Sequence, residues 1–369
     1  MRRFAIFVWI ASGLVVGPSS AVAQPTSSYY VYVCAESDDE VSIVRYGPNG
    51  LDVVKTISVG RYPAEIEGPH GVNVDPDGRF WYVSVAHGVP FGSVHKYETG
   101  TDRWVAGETL GMFPATLDVS SSTGLLYVVN FDLHGPLEPG TLSIVEVETM
   151  TEIERVPTGV MPHGSRLSAD GTRHYSVSMM SDELVEVDAL TFDVNRTLSL
   201  SRHGANQSED EAASHDPSQL VQPTWVTAPS AGGKLYVTAF AANQIYEVDV
   251  DEWKVTRTFE TGPGPYNLDV TPDGATLVVT HKKGASVGFW DLATGRERIR
   301  ADTTRTIPHG VVLTPDGRYA FVTLEGVGSE PGTVEVYDVE SGRRVGAVDV
   351  GKQAGGIAFW KLEEGVTRK

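Results

Sequence analysis

The chain repeats itself. GVNVDPDGRFWYVS (residues 71–84), NLDVTPDGATLVVT (267–280) and GVVLTPDGRYAFVT (310–323) share one plan: an apolar strand, a Pro-Asp-Gly turn, a second apolar strand. SRLSADGTRHYSVS (165–178) keeps the plan with Ser-Ala-Asp-Gly at the turn. TLDVSSSTGLLYVV (116–129) and WVTAPSAGGKLYVT (225–238) keep the strands and vary the turn. A third strand ending in an acidic residue follows each unit: VHKYE, LSIVEVE, LVEVD, IYEVD, VGFWD and VEVYD. A short polar turn such as Glu340-Ser341-Gly342 then leads into a fourth strand.

Four short strands in every 40 to 50 residues or so is the period of a β-propeller, an all-β ring of four-stranded antiparallel blades. No unit can bury both faces of its own sheet, so each needs a neighbour on either side. Counting second strands gives seven: YVYVC (30–34), WYVSV (81–85), LYVVN (126–130), HYSVS (174–178), LYVTA (235–239), TLVVT (276–280) and YAFVT (319–323). The first has no innermost strand before it, and GGIAFW (355–360) is an innermost strand with nothing after it. The two ends are therefore expected to share one blade, which closes the ring and removes its open sheet edge.

Residues 1–23 stand outside this pattern. Arg2-Arg3, an apolar run from Phe4 to Val16 and Ala21-Val22-Ala23 read as a cleavable signal peptide, which makes the mature chain periplasmic or secreted, beginning near Gln24. The paired arginines also fit a twin-arginine exporter. One propeller domain is expected over 24–369, and its mature part contains no run long and apolar enough to span a membrane. A net charge of -19 spread along the chain argues against nucleic acid as a partner and for a well-solvated surface. The single cysteine, Cys34, allows no internal disulfide, and without a CxxCH motif there is no covalent haem.

Because strands alternate in direction, each histidine can be given a face of the ring. His70, His163 and His309 each lie in Pro-His-Gly just before an innermost strand, nearest the central channel on the top face. His87, His134 and His281 end or follow second strands on that face, further out, and His203 and His215 lie in a polar insertion, 201–220, between blades four and five. Only His95 and His174 fall elsewhere among the ten. Blades in a seven-membered ring are about 51° apart, so the three Pro-His-Gly blades stand about 103°, 154° and 103° from one another, close to trigonal. Three imidazoles at one channel mouth suit a transition metal with an open position, copper before calcium or magnesium, and His281 is a weaker fourth candidate. The competing account makes Pro-His-Gly a turn favoured by the repeat, with each histidine bonded to nearby backbone. Gly355, Ala115, Thr224 and Tyr266 hold the matching position in the other blades, Tyr266 alone offering a strong donor. Met161, Met179, Met180 and Cys34 read as packing residues, and Arg166, Lys282, Lys283 and Arg305 as solvated surface of the top face. The insertion, with Glu209, Asp210, Glu211 and Asp216, reads as a polar cap over the same face.

LYVVN, LYVTA and the PDGR turns resemble those of YVTN-repeat seven-bladed propellers. The string PHGVNVDPDGRFWYVS is also similar to channel-facing repeats of the nitrous oxide reductase propeller, and the chain is similar to the propellers of cytochrome d1 nitrite reductases and of lactonases. The nitrous oxide reductase resemblance implies copper held by channel histidines, carried here by His70, His163 and His309 and weakly by His281. The second domain with a cysteine-rich copper motif that accompanies that activity has no counterpart here. Three functions follow as expectations. One is an exported propeller binding a metal or small molecule at the channel mouth for redox chemistry or metal handling. The second is a non-enzymatic module presenting its top loops to a cell-envelope protein. The third is a lactonase-like hydrolase with His70 or His309 as general base.

Overall fold

The computed structural model describes residues 24–62, 64–88, 91–201 and 220–365. Residues 1–23, where a signal peptide is expected, and residues 202–219 of the insertion, with His203, His215 and Asp216, lie outside the described residues. Seven four-stranded antiparallel sheets form the ring. Six are consecutive in the chain, and blade one is made from both ends, the innermost strand Ala354–Glu363 pairing with Ser28–Ala35 through Tyr32↔Ala358 and its neighbours. Among the described residues the only helical element is a single 3-10 turn, Glu36–Asp38. No described helix is long and apolar enough to cross a membrane.

Local chemistry sets the strands. In the Pro-Asp-Gly turns the glycine takes a left-handed backbone, φ +71° at Gly78, +70° at Gly274 and +69° at Gly317. The turn aspartate locks the geometry: Thr314 Oγ1 donates to Asp316 Oδ1 at 2.6 Å, and Thr271 Oγ1 does the same to Asp273. Second strands such as Leu125–Asn130 are buried on both faces, because each blade lies between two others. Fourth strands such as Val194–Ser199 alternate exposed and half-buried residues at the rim.

Aromatic side chains fill the gaps between blades. Trp81 of blade two stacks on Tyr32 of blade one, ring centroids 5.0 Å apart, and on Tyr97 at 4.2 Å. Its indole N–H donates to Asp102 Oδ1 at 3.1 Å, the carboxylate that also accepts from Tyr32 at 3.3 Å and pairs with Lys55 at 2.6 Å. The same slot in blade four holds His174, stacked on Tyr127 of blade three at 5.7 Å. His174 is thus a core residue, in keeping with its expected place away from the top face. Replacing Trp81 by Ala leaves a large hole between blades and takes from the Asp102 carboxylate one of its three partners. We expect Trp81→Ala to lower the unfolding free energy by about 3–5 kcal/mol, read as a shifted denaturant midpoint at unchanged slope.

Candidate functional site

All seven innermost strands begin alike. The preceding residue has positive φ: Gln353 +57°, Gly68 +64°, Phe113 +52°, Met161 +54°, Gln222 +52°, Gly264 +65° and Ile307 +61°. A register shift follows in every blade. In blade two Pro69 pairs with Val85 and Val72 with Val83, so His70 and Gly71 together face Ser84. Such a bulge bends the strand and re-aims one side chain, here toward the channel. The glycine of Pro-His-Gly belongs to the scaffold: a Cβ on Gly71 would lie 2.1 Å from the carbonyl oxygen of Ala115 in the next blade, and one on Gly164 2.5 Å from that of Thr224.

A second set of side chains reaches the mouth from the residue after each second strand, whose N–H donates to the carbonyl of the positive-φ residue. Glu36 bonds Gln353 in this way at 3.1 Å, Lys282 bonds Gly264 at 2.7 Å and Glu325 bonds Ile307 at 3.0 Å. Two tiers therefore face the channel: His70, His163, Tyr266 and His309 below, Glu36, Lys282 and Glu325 above.

The rings of His70 and His163 are 5.8 Å apart, those of His70 and His309 5.7 Å, and Tyr266 lies 4.7 Å from His309. All four are buried. Burial pushes the Glu36 carboxyl up, but hydrogen bonds from His70 and His87 outweigh that and hold it down at about 2. As an ionised acceptor it receives Nδ1–H of His70 at 3.0 Å and Nε2–H of His87 at 2.5 Å. His163 donates Nδ1–H to the Thr224 carbonyl at 2.9 Å, and the Tyr266 hydroxyl donates to its Nε2 at 3.1 Å. Burial, helped by the neighbouring His70, pushes His163 down to about 3, and burial with the Lys282 charge pushes His309 well below its ordinary value. Both rings are neutral at neutral pH. His309 has Nε2 3.8 Å from Glu325 and a buried Nδ1 with no partner. Lys282 pairs with Glu325 at 2.7 Å and lies over the Tyr266 ring at 4.1 Å. Burial lowers its pKa, and the neighbouring Tyr266 and Glu325 more than restore it.

Three of the four residues singled out from the sequence, His70, His163 and His309, are therefore neighbours. His281 is not with them: Thr261 Oγ1 lies 2.6 Å from its Nε2, Ser286 Oγ 3.1 Å from its Nδ1, and its ring rests on the edge of Trp290. It is the last residue of its strand, and the next residue, Lys282, is the one delivered to the mouth. His87 joins through Glu36, and His134 lies outside it, 6.0 Å from His87 and exposed. Met161 and Met179, with Met112, pack against Phe113 and Phe131, and Cys34 is fully buried in blade one. Arg166, expected on the surface, lines the channel from the fifth position of its innermost strand. Glu36, Lys282 and Glu325 were missed as a set, although each directly follows a second strand.

Among the described residues no group of three or more His, Cys, Asp or Glu side chains is already arranged to hold a metal ion. The fold is that of a seven-bladed propeller, with the rings of His163 and His309 on either side of His70 near the start of their innermost strands. Neither a protein-family model nor a curated protein matches the sequence. Solved structures do: a chain of hydrazine synthase from Kuenenia stuttgartiensis is 18% identical over 82% of this chain and 92% of its own, with a TM-score of 0.64. A functionally unknown protein from Desulfotomaculum acetoxidans DSM 771 is 14% identical over 89% and 98%, with a TM-score of 0.69. At such identities the likeness is one of fold.

The buried histidines outside the mouth carry a cost in acid. Burial pushes His174 down to about 3, and both its ring nitrogens lack partners. The unfolded chain protonates near the ordinary value of about 6.5. Between those values the unfolded state binds a proton that the native state refuses, so stability falls as pH drops through that window. The slope is up to roughly 1.4 kcal/mol per pH unit for each such histidine, and above about pH 6.5 the effect vanishes. His281, at about 3, and His95, at about 4, act in the same direction. His174→Phe should therefore flatten the dependence of urea-unfolding free energy on pH below about 6.5, and an unchanged slope would show that His174 protonates in the native state.

Proposed function

We propose that the protein is an exported YVTN-type propeller that binds a late first-row transition metal, copper foremost, at the channel mouth through His70, His163 and His309, for redox chemistry or metal handling. The supporting observation is how two of the rings are tethered. Metal-ligating histidines commonly donate their second ring N–H to a carboxylate or a backbone carbonyl, which fixes the tautomer and aims the other nitrogen at the metal. His70 is tied in this way to Glu36 and His163 to Thr224, so each presents Nε2. Three imidazoles converging on one ion at bond lengths near 2.0–2.1 Å would have ring centroids about 5–5.5 Å apart. His70 stands close to that distance from each of the other two rings, 5.8 Å from His163 and 5.7 Å from His309. His163 and His309 are held in the neutral form that ligates.

The Tyr266 hydroxyl sits on His163 Nε2, so an incoming ion displaces it or takes it as a further ligand. Imidazole donors suit copper, zinc, nickel or iron over calcium and magnesium, and copper heads that affinity order. Protein isolated from the exporting compartment without a histidine tag should carry about one equivalent of metal. The triple variant His70→Ala/His163→Ala/His309→Ala should drop to background, while His281→Ala keeps its metal. A metal-free wild type, or a triple variant with unchanged content, would remove the proposal.

A hydrolytic reading draws on the same Glu36–His70 pair, a carboxylate orienting a candidate general base. It requires turnover of a lactone that survives chelation and is lost in both His70→Gln and Glu36→Gln.

A further inference from the structure

Below the histidines the channel widens into a cavity of about 230 Å³, with room for a handful of waters or one small organic molecule. His70 and His309 form its ceiling, and Asp118, Arg166, Trp225 and Asp269 stand in its wall. The polar groups of that wall are unevenly used. Asp118 Oδ1 accepts from the Asn73 amide at 3.0 Å and the Val119 N–H at 3.1 Å, and its Oδ2 from the Leu167 N–H of the next blade at 3.0 Å. Asp269 is committed in the same way, Oδ1 to the Val270 N–H and Oδ2 to the Leu313 N–H of the next blade, both at 2.9 Å. Both carboxylates thus join one blade to the next.

Arg166 is the opposite case. Its guanidinium carries five N–H groups. Among the described residues it makes one hydrogen bond, Nη1 to the carbonyl of its neighbour Ser165 at 2.8 Å, and no ion pair. It lies 5.0 Å from the Trp225 ring. Trp225 in turn has a buried indole N–H without a partner, and His309 a buried Nδ1 without one. Most of the Arg166 N–H groups are therefore unused within the protein, while both carboxylates of the wall are already taken up by backbone and amide donors.

We propose that this cavity is a binding site for a small planar monoanion, a carboxylate or an oxyanion of similar shape, gripped by the Arg166 fork beneath the histidines. Guanidinium matches two coplanar oxygens with two parallel N–H bonds, which a lysine cannot reproduce. Asp118 and Asp269 act electrostatically on the same guanidinium, and their carboxylates weigh most heavily against dianions such as sulfate. The site needs no metal above it. With one, the anion would lie between the metal and Arg166, as a substrate or as a further ligand.

The test is calorimetric titration of the full-length mature protein with sodium acetate, sodium nitrate, sodium sulfate and ammonium chloride, with metal content measured on the same samples. Indole fluorescence, assigned with Trp225→Phe, gives a second signal. Acetate or nitrate should bind saturably and sulfate should not. Arg166→Lys, which keeps the charge between the two aspartates and so guards against misfolding, should weaken binding at least about tenfold, and Arg166→Gln should abolish it. Loss in Arg166→Lys at unchanged metal content supports the pocket, and so does acetate binding by a metal-free wild type, which would overturn only the metal proposal. Absence of saturable anion binding, binding indifferent to both Arg166 variants, or preference for ammonium would each overturn it.

Discussion

At four blades a single hydroxyl holds three pieces of backbone together, and the geometry of the channel depends on it. Ser84, Thr238, Thr280 and Thr323 each accept the N–H of the third residue of their own innermost strand, at Gly71, Trp225, Asn267 and Gly310. Each also donates to the carbonyl of the second residue of the next, at Ala115, Tyr266, His309 and Gly355, over 2.6–3.0 Å. The bulge that aims a side chain at the channel and the seam that joins two blades are thus the same hydrogen-bonded unit. A hydroxyl can serve both because it donates and accepts at once. The main-chain position of His309 is set from blade six and not by its own ring, which leaves the imidazole free for other bonding.

The channel mouth then concentrates groups that would be unstable apart. Burial alone would neutralise Glu36, yet two histidine N–H groups keep it charged. Lys282 is kept charged by Glu325 and by the face of Tyr266. Between these two charged poles His163 and His309 stay neutral, because a protonated ring in that space would be desolvated and repelled by Lys282. The result is a charged Glu36 and Lys282 beside the neutral rings of His163 and His309.

Much of this was legible in the sequence because the repeat is strong. The Pro-Asp-Gly turns and the paired apolar strands specify the blade, and the unpartnered innermost strand at residues 355–360 specifies the closure. Pro-His-Gly marked three of the residues that meet in the channel, since position in the blade determines direction in space. The second tier stayed hidden because the residue after the second strand carries no motif: Glu36, Ala86, Phe131, Met179, Phe240, Lys282 and Glu325 share only a backbone hydrogen bond. His281 was misplaced by one residue, enough in a pleated strand to send a side chain elsewhere. Arg166 passed for surface because a charge within an innermost strand is unusual, and only the three-dimensional ring reveals what it faces.

The shared blade also sets the order in which the molecule can be completed. The innermost strand of blade one is residues Ala354–Glu363, and its partner Ser28–Ala35 is made more than three hundred residues earlier. Until the last strand arrives, the first three strands of the chain have no inner neighbour, and the edges of blades one and seven remain open. Contacts of such long sequence separation form slowly and leave paired edges unguarded in the meantime. The channel residues drawn from opposite ends, Glu36 from the start and His309 and Glu325 near the finish, can therefore meet only as the ring shuts, so any activity housed there begins only once the whole chain has emerged.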